Sequence, residues 1–280
     1  MIQRLASKGR PCIATTTGTL PPPADRRSIT WVHWDAGCSA VPDVDWECVD
    51  AVVHLAKPRN AISPRSTVEN YTLSAAATFS LLSAARAHGV RRFLFASTGY
   101  ALGGRDAPAL ESDQTFQPRE DYGACKACGE LITTAFQQYL STAVLRLFFP
   151  YGPDGDRFFV NRIVRAVQQG DEIRIDGTDG VRLNPVWIDD LACGLIRAID
   201  SDACGTFHLA GPETVTLRQL SQRIAAEVGR QPVFRQVPAA RVDCHVGDMS
   251  MARSKLGYHP TCDLRSGLSR LIAGATEVTT

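Results

Sequence analysis

Nowhere in this 280-residue chain does an apolar run reach the roughly 18 residues that a membrane span requires. The N-terminus, Met1-Ile-Gln-Arg-Leu-Ala-Ser-Lys8, lacks the apolar core of a secretory signal. Neither sign of charge dominates: 30 basic against 29 acidic residues leave a net charge of +1. The overall balance therefore calls for neither nucleic acid nor an anionic membrane as partner. Internal repeats and low-complexity tracts are absent. The six histidines are scattered, and the single C-x-x-C, Cys125 to Cys128, has no second ligand pair at zinc spacing, so no metal site is expected. Nine cysteines, an odd and dispersed set, fit a reducing cytoplasmic setting rather than a disulfide framework.

What remains is an ordinary globular composition, 44% hydrophobic and 21% charged, ample for a large core and a small-molecule partner. After a helix end at residues 2–8 closed by Gly9, a β-branched strand is expected over 11–17. A loop follows at Leu20-Pro-Pro-Pro-Ala-Asp25. Further apolar bursts lie at 29–34, 50–56, 92–97 and 142–148, short and mostly non-alternating, as in strands covered on both faces. Helical patterns separate them over 68–88 and 121–140. Strand, helix, strand in this rhythm predicts an α/β fold, a Rossmann-like, doubly wound parallel sheet with ligands at the C-terminal strand ends.

After Pro150 the rhythm changes. A turn over 151–155, a helix over 157–169 and strands over 172–175 and 183–188 precede a helix at 189–200 and a strand at 205–210. A helix at 217–228, a strand near 233–237 and two short helices up to Ala275 complete the chain. The expected division is a dinucleotide-binding core over 1–150 and a smaller, mixed substrate lobe over 151–280, with about 183–212 contributing back to the core.

Within this frame Tyr122 and Lys126 lie four residues apart on one helical face. A phenol near its ordinary pKa of about 10 is a poor base at neutral pH, and a neighbouring ammonium lowers that value. Taken alone, the pair is more often two surface residues at helical spacing. Its neighbourhood raises its weight: Asp50-Ala-Val-Val-His-Leu-Ala56, Gly89 to Thr98, Pro118 to Glu130, Arg146 to Pro153, Asn184-Pro-Val-Trp-Ile-Asp-Asp190 and Gly211-Pro-Glu213. In that order these segments resemble the extended short-chain dehydrogenase/reductase superfamily, in its NAD-dependent epimerase/dehydratase branch.

The resemblance implies NAD or NADP as cofactor and a catalytic set of Thr98, Tyr122 and Lys126. Tyr122 would move a substrate hydroxyl proton, Lys126 would hold the nicotinamide ribose and depress the Tyr122 pKa, and Thr98 would bond the reacting oxygen. Asp35, Leu55, Ala56, Ser74 and Pro150 would join Tyr122 and Lys126 in holding the cofactor. Asp35 reads equally as a solvated turn residue, and Leu55 and Ala56 as packing. Asp189 and Asp190 read as helix-opening carboxylates with a structural role. The resemblance also implies a homodimer through the helices at 68–88 and 121–140.

Departures from the family narrow the expectation. The G-x-x-G-x-x-G turn that brings backbone to a pyrophosphate is missing, and Met1 to Gly9 reads as the end of the helix that should follow it, about 20 residues into the pattern. Thr15-Thr16-Thr17 replaces the acidic residue that grips the adenosine ribose, leaving NAD and NADP open. Ser74 stands for an asparagine, Phe149 for another, and Leu102 for a tyrosine. Gly99-Tyr100 rather than Asp-Glu follows Thr98, which disfavours 4,6-dehydration. The expected function is thus an epimerase or oxidoreductase acting on a nucleotide-sugar or related hydroxyl or carbonyl compound. The competing expectation is a non-catalytic pseudoenzyme or regulatory binding protein that has lost dinucleotide affinity.

Overall fold

The structure, a computed structural model, describes residues 1–18, 29–37, 41–57, 66–153, 155 and 158–277. The loop expected at 20–25, Cys38 and the expected helix start at Arg157 lie outside these residues. Helix α1 (Ile2–Ser7) leads to parallel strands β1 (Cys12–Thr16) and β2 (Ile29–His33), followed by β3 (Ala51–His54). Helix α2 (Ser66–Tyr71) passes through a single π-helical turn, Thr72–Ala76, into α3 (Ala77–Ala87), so the helix expected over 68–88 carries a local widening at Ser74. Then come β4 (Arg92–Thr98), α4 (Asp121–Ala135), β5 (Ser141–Leu147) and β6 (Pro150–Tyr151).

The second half runs α5 (Phe159–Gln169), β7 (Glu172–Asp176), β8 (Arg182–Leu183), β9 (Val186–Trp187), α6 (Ile188–Asp200) and β10 (Gly205–Leu209). It ends with β11 (Val215–Thr216), α7 (Leu217–Val228), β12 (Val233–Val237), β13 (Cys244–His245), α8 (Ser250–Leu256) and α9 (Leu264–Glu277). Helix α7 starts at a capping box in which Thr216 and Gln219 bond each other's backbone, and Gly229 closes it in the left-handed region, φ 74°. The last helix is longer than the short element expected, spanning 14 residues.

The main sheet is parallel, in the order β10-β5-β4-β3, with the expected helices packed on it. Phe93, Leu94 and Phe95 on β4 and Ala143 and Leu145 on β5 are fully buried. Each large side chain there is worth about 1.5–3 kcal/mol, which explains why these strands read as continuous apolar runs. The single strand expected over 183–188 is two. Pro185 has no N–H to give a ladder, and Asn184 turns aside to bond Gly247 at both its amide (3.1 Å) and its carbonyl (2.9 Å). The sheet also differs from expectation in being discontinuous: β1 and β2 form a separate parallel pair.

Two buried histidines set an acid limit. His54 bonds the Leu73 carbonyl (2.8 Å), and burial, then the Lys126 charge, push its pKa down to about 4. Burial, then Arg146, push His208 down to about 3. Both folded values lie below the ordinary 6.5, so the unfolded chain binds more protons in between and stability falls as pH drops from about 6.5 through 4 and 3. We expect a His208→Phe variant to lose less melting temperature than the unmodified chain between neutral and mildly acidic pH. Equal losses would show that His208 does not set the limit.

Candidate active site

The C-terminal ends of β3 and β4 and the first two turns of α4 converge. Thr98 is the last residue of β4; its Oγ1 accepts from the Tyr100 amide (3.3 Å) and starts the short 3-10 turn Gly99–Leu102. That turn sits against α4 with little clearance. A Cβ on Gly123 would lie 2.6 Å from the Tyr100 carbonyl oxygen, so glycine next to Tyr122 is what lets the helix start here. One turn further, Lys126 reaches into the sheet: its Nζ donates to the carbonyls of Ala96 (2.8 Å) and Ala56 (3.3 Å) and lies 4.8 Å from the Phe95 ring centre. Helix α4 therefore straddles Thr98, with Tyr122 beside the turn that follows it and Lys126 bonded two residues before it.

The electrostatics differ from the expectation that Lys126 lowers the Tyr122 pKa. Burial pushes the Tyr122 phenol up to about 12. Lys126 is itself fully buried, and burial, followed by repulsion from Lys57, pulls it down to about 7. The physical reason is position: the ammonium is turned toward backbone carbonyls instead of the phenol. Tyr100, within electrostatic reach of Tyr122 and Glu120, is also pushed up by burial to about 12.

The remaining expected cofactor residues divide. Ala56 joins the site through its carbonyl, and Leu55 beside it is exposed. Ser74 is fully buried, with no partner for its hydroxyl among the described residues. Its carbonyl accepts from Thr78 and lies where a Cβ on Gly129 of α4 would come within 2.3 Å. Ser74 therefore backs α4. Asp35 is exposed and folds onto the Gly37 amide (2.8 Å), and Pro150 pairs with Val186 in the short β6–β9 ladder. Asp189 holds Arg4 (2.8 Å) and the Trp187 indole. Asp190 accepts from Thr261 and Cys262 ahead of α9, so both are structural, but not as caps of their own helix.

Several contributors were not recognised as such in the sequence. Glu130 and Arg146, both buried, form a salt bridge beneath the site, and the Ser97 hydroxyl donates to the same carboxylate. Asn70, fully buried, donates to Asp121 (3.3 Å), which in turn accepts from the Tyr122 amide (2.8 Å). His245, read as structural, places its ring 4.7 Å from that of Tyr100, and Phe149 completes the group at φ 45°. Phe149 is the one non-glycine residue with positive φ among the described residues. Asn70 follows helical spacing from Ser74; His245 carried no signal, since its partner lies over a hundred positions away. The eight described cysteines are free thiols, and no cluster of three potential metal ligands occurs among the described residues. No helix among them is long and apolar enough to cross a membrane.

Thr98 at the end of β4 and Tyr122 and Lys126 on α4 thus lie along the C-terminal edge of a parallel α/β sheet. The profile of the NAD dependent epimerase/dehydratase family matches residues 1–210. The chain belongs to that family, a branch of the extended short-chain dehydrogenases/reductases whose members depend on NAD. The UDP-glucuronate 4-epimerase of Thermodesulfobacterium geofontis (strain OPF15) is 24% identical over 239 residues, covering 82% of this chain and 73% of that protein. UDP-glucuronic acid decarboxylase 1 of Danio rerio is 26% identical over 242 residues, 80% of this chain and 56% of that protein. Among solved structures, MoeE5 in complex with UDP-glucuronic acid and NAD superposes with a TM-score of 0.83 at 23% identity, covering 99% of this chain and 94% of that one. UDP-glucose 4-epimerase of Thermotoga maritima, solved with UDP-glucose, gives 0.83 at 22% identity, with 100% and 95% covered.

Proposed function

We propose that the chain is an NAD-dependent enzyme of the epimerase type, which oxidises and re-reduces a ring hydroxyl of a nucleotide-sugar. The observation that carries this reading is the convergence of Thr98, Tyr122 and Lys126 at the ends of β3 and β4. In this reading residues 1–150 hold the cofactor and 151–280 enclose the substrate. The Tyr122 oxygen takes the hydroxyl proton and returns it, Thr98 bonds the reacting oxygen, and Lys126 leaves its carbonyls to grip a ribose. Ala56, Ser74, Leu55, Asp35 and Pro150 would border the cofactor, which supplies the hydride acceptor. The absence of Asp-Glu after Thr98 argues against dehydration.

The nicotinamide side of the site fits the cofactor: two carbonyl-bound donors of Lys126 and a buried phenol are in place. The pyrophosphate side does not, because among the described residues no glycine-rich turn opens a helix there. The second reading, a binding protein without turnover, is the one the experiment below separates from the first. Support for a homodimer comes from the helices at 66–87 and 121–135, which leave Val68, Tyr71, Phe79 and Leu131 exposed on their outer surfaces. The cytoplasm is the fitting compartment for the free thiols of the eight described cysteines.

Incubation with NAD and UDP-glucuronate or UDP-glucose tests the reading. A sugar product with an inverted ring carbon, followed by NMR, is the expected outcome. Neither turnover nor binding of NAD would leave the non-catalytic reading standing.

A further inference from the structure

The proposed chemistry leaves one motif of the site helix unused. Cys125 and Cys128, the single C-x-x-C of the chain, both lie on α4 and flank Lys126 and Ala127. Lys126 and Ala127 are buried, whereas Cys128 is exposed and Cys125 half-buried, and both thiols are free. The two sulfurs therefore share the outer side of α4, while Lys126 enters the sheet from its inner side.

Helix geometry places residues three apart with their Cα atoms about 5 Å from each other. That lies inside the roughly 4.4–6.8 Å that a disulfide spans. Their Cβ atoms, about 5–6 Å apart on a regular helix, have to close to about 3.5–4.5 Å for the bond to form. A bridge is thus within reach, and making it tightens its own turn. The thiols are also near enough to influence each other: burial, then Cys128 and Asp121, push the Cys125 thiol up.

We infer that Cys125 and Cys128 form a redox modification site, a dithiol that a small-molecule disulfide such as oxidised glutathione converts into a bridge within one helical turn. Exposure sets the order of events. The Cys128 thiolate attacks first, displacing one thiolate of the small molecule and keeping the other half as a mixed disulfide. The Cys125 thiolate then attacks the Cys128 sulfur, which closes the bridge and releases the second thiolate. Two electrons pass to the small-molecule disulfide, which leaves as two thiols carrying the two cysteine protons. A consequence rests on the function proposed above. Lys126 sits in the turn that tightens, with its Nζ bonded to the carbonyls of Ala96 (2.8 Å) and Ala56 (3.3 Å). The helix has no room to move inward instead, because a Cβ on Gly129 would already come within 2.3 Å of the Ser74 carbonyl oxygen. Bridging therefore displaces Lys126 and weakens NAD binding until the bond is reduced.

The test treats the full chain with oxidised glutathione and maps its cysteines by peptide mass; dilute chain is used because the homodimer proposed above would cover the same side of α4. We expect a Cys125–Cys128 bridge in the unmodified chain, glutathione trapped on Cys128 in Cys125→Ser, and an unmodified Cys125 in Cys128→Ser. Both thiols still free, or joined between two copies, would overturn the inference, and glutathione on Cys125 in Cys128→Ser would overturn the order of attack. In the bridged chain, amide exchange over residues 127–131 is expected to quicken and NAD affinity to fall, each at least about tenfold, with dithiothreitol reversing both. A bridged chain that binds NAD as tightly as the reduced one would remove the consequence at Lys126. A reduced chain without affinity for NAD would count against the cofactor reading and leave the bridge standing.

Discussion

A Glu130→Leu substitution lowers the stability of this chain by about 3–5 kcal/mol, the usual cost of removing one partner from a buried ion pair. Arg146 is completely shielded from water and Glu130 nearly so, at 0% and 3% side-chain exposure. Its guanidinium bonds both carboxylate oxygens, with contacts of 3.1 Å from Nε and 2.7 Å from Nη2, and Nη1 donates to the Asp113 carbonyl (3.0 Å). With the carboxylate gone, the Asp113 carbonyl and the nearby Phe116 ring are what remain around a buried cation. At about 2–4 °C per kcal/mol for a chain approaching this size, the melting temperature falls by roughly 10 °C. The double change Glu130→Leu with Arg146→Met removes both charges and recovers most of that loss. Urea unfolding of the three variants measures it; a double variant as weak as the single one would show that packing, not the unpaired charge, sets the cost. Because Ser97 also donates to Glu130, the single variant is expected to lower turnover as well, through the adjoining Thr98.

Tyr122→Phe has the second large effect, on rate instead of stability. The phenyl ring keeps the packing of the first turn of α4 while the oxygen proposed to transfer the proton is lost, so kcat is expected to fall by about 10²–10⁴ and the affinity for NAD to change by less than about twofold. The pH profile separates a chemical role from a structural one. With the phenol pushed up to about 12 by burial, its deprotonated form is scarce at neutral pH, and the proposed turnover of the unmodified chain is expected to rise with pH above 7. The residual rate of Tyr122→Phe should lack that rise. Retained turnover in the variant, or the same pH dependence, removes Tyr122 from the reaction.

Much of the architecture was legible in local pattern. The strand and helix positions of the first half follow from short non-alternating apolar runs alternating with helical periodicity, and α7 and β12 fall on the residues expected of them. The breaks were harder to read. Pro185 marked the end of β8 only once Asn184 was seen to bond Gly247, 63 positions away. The π-helical turn at Ser74 likewise answers to the packing of Gly129 against its carbonyl, which no periodicity carries.

The candidate site divides in the same way. Spacing of four residues puts Tyr122 and Lys126 on one face of a helix whatever surrounds them, because helix geometry is local. By itself the sequence also determined the parallel α/β class, through the composition of strands covered on both faces, and membership in the family through the order of its landmarks. Only the tertiary structure decided what those groups do electrostatically. Burial is a property of the assembled layers, and it turned Tyr122 upward and Lys126 downward, contrary to what their adjacency alone implies. The same is true of the His245 ring on Tyr100 and the Glu130–Arg146 pair under Ser97. Each depends on which distant backbones and side chains meet, and on the water their meeting excludes.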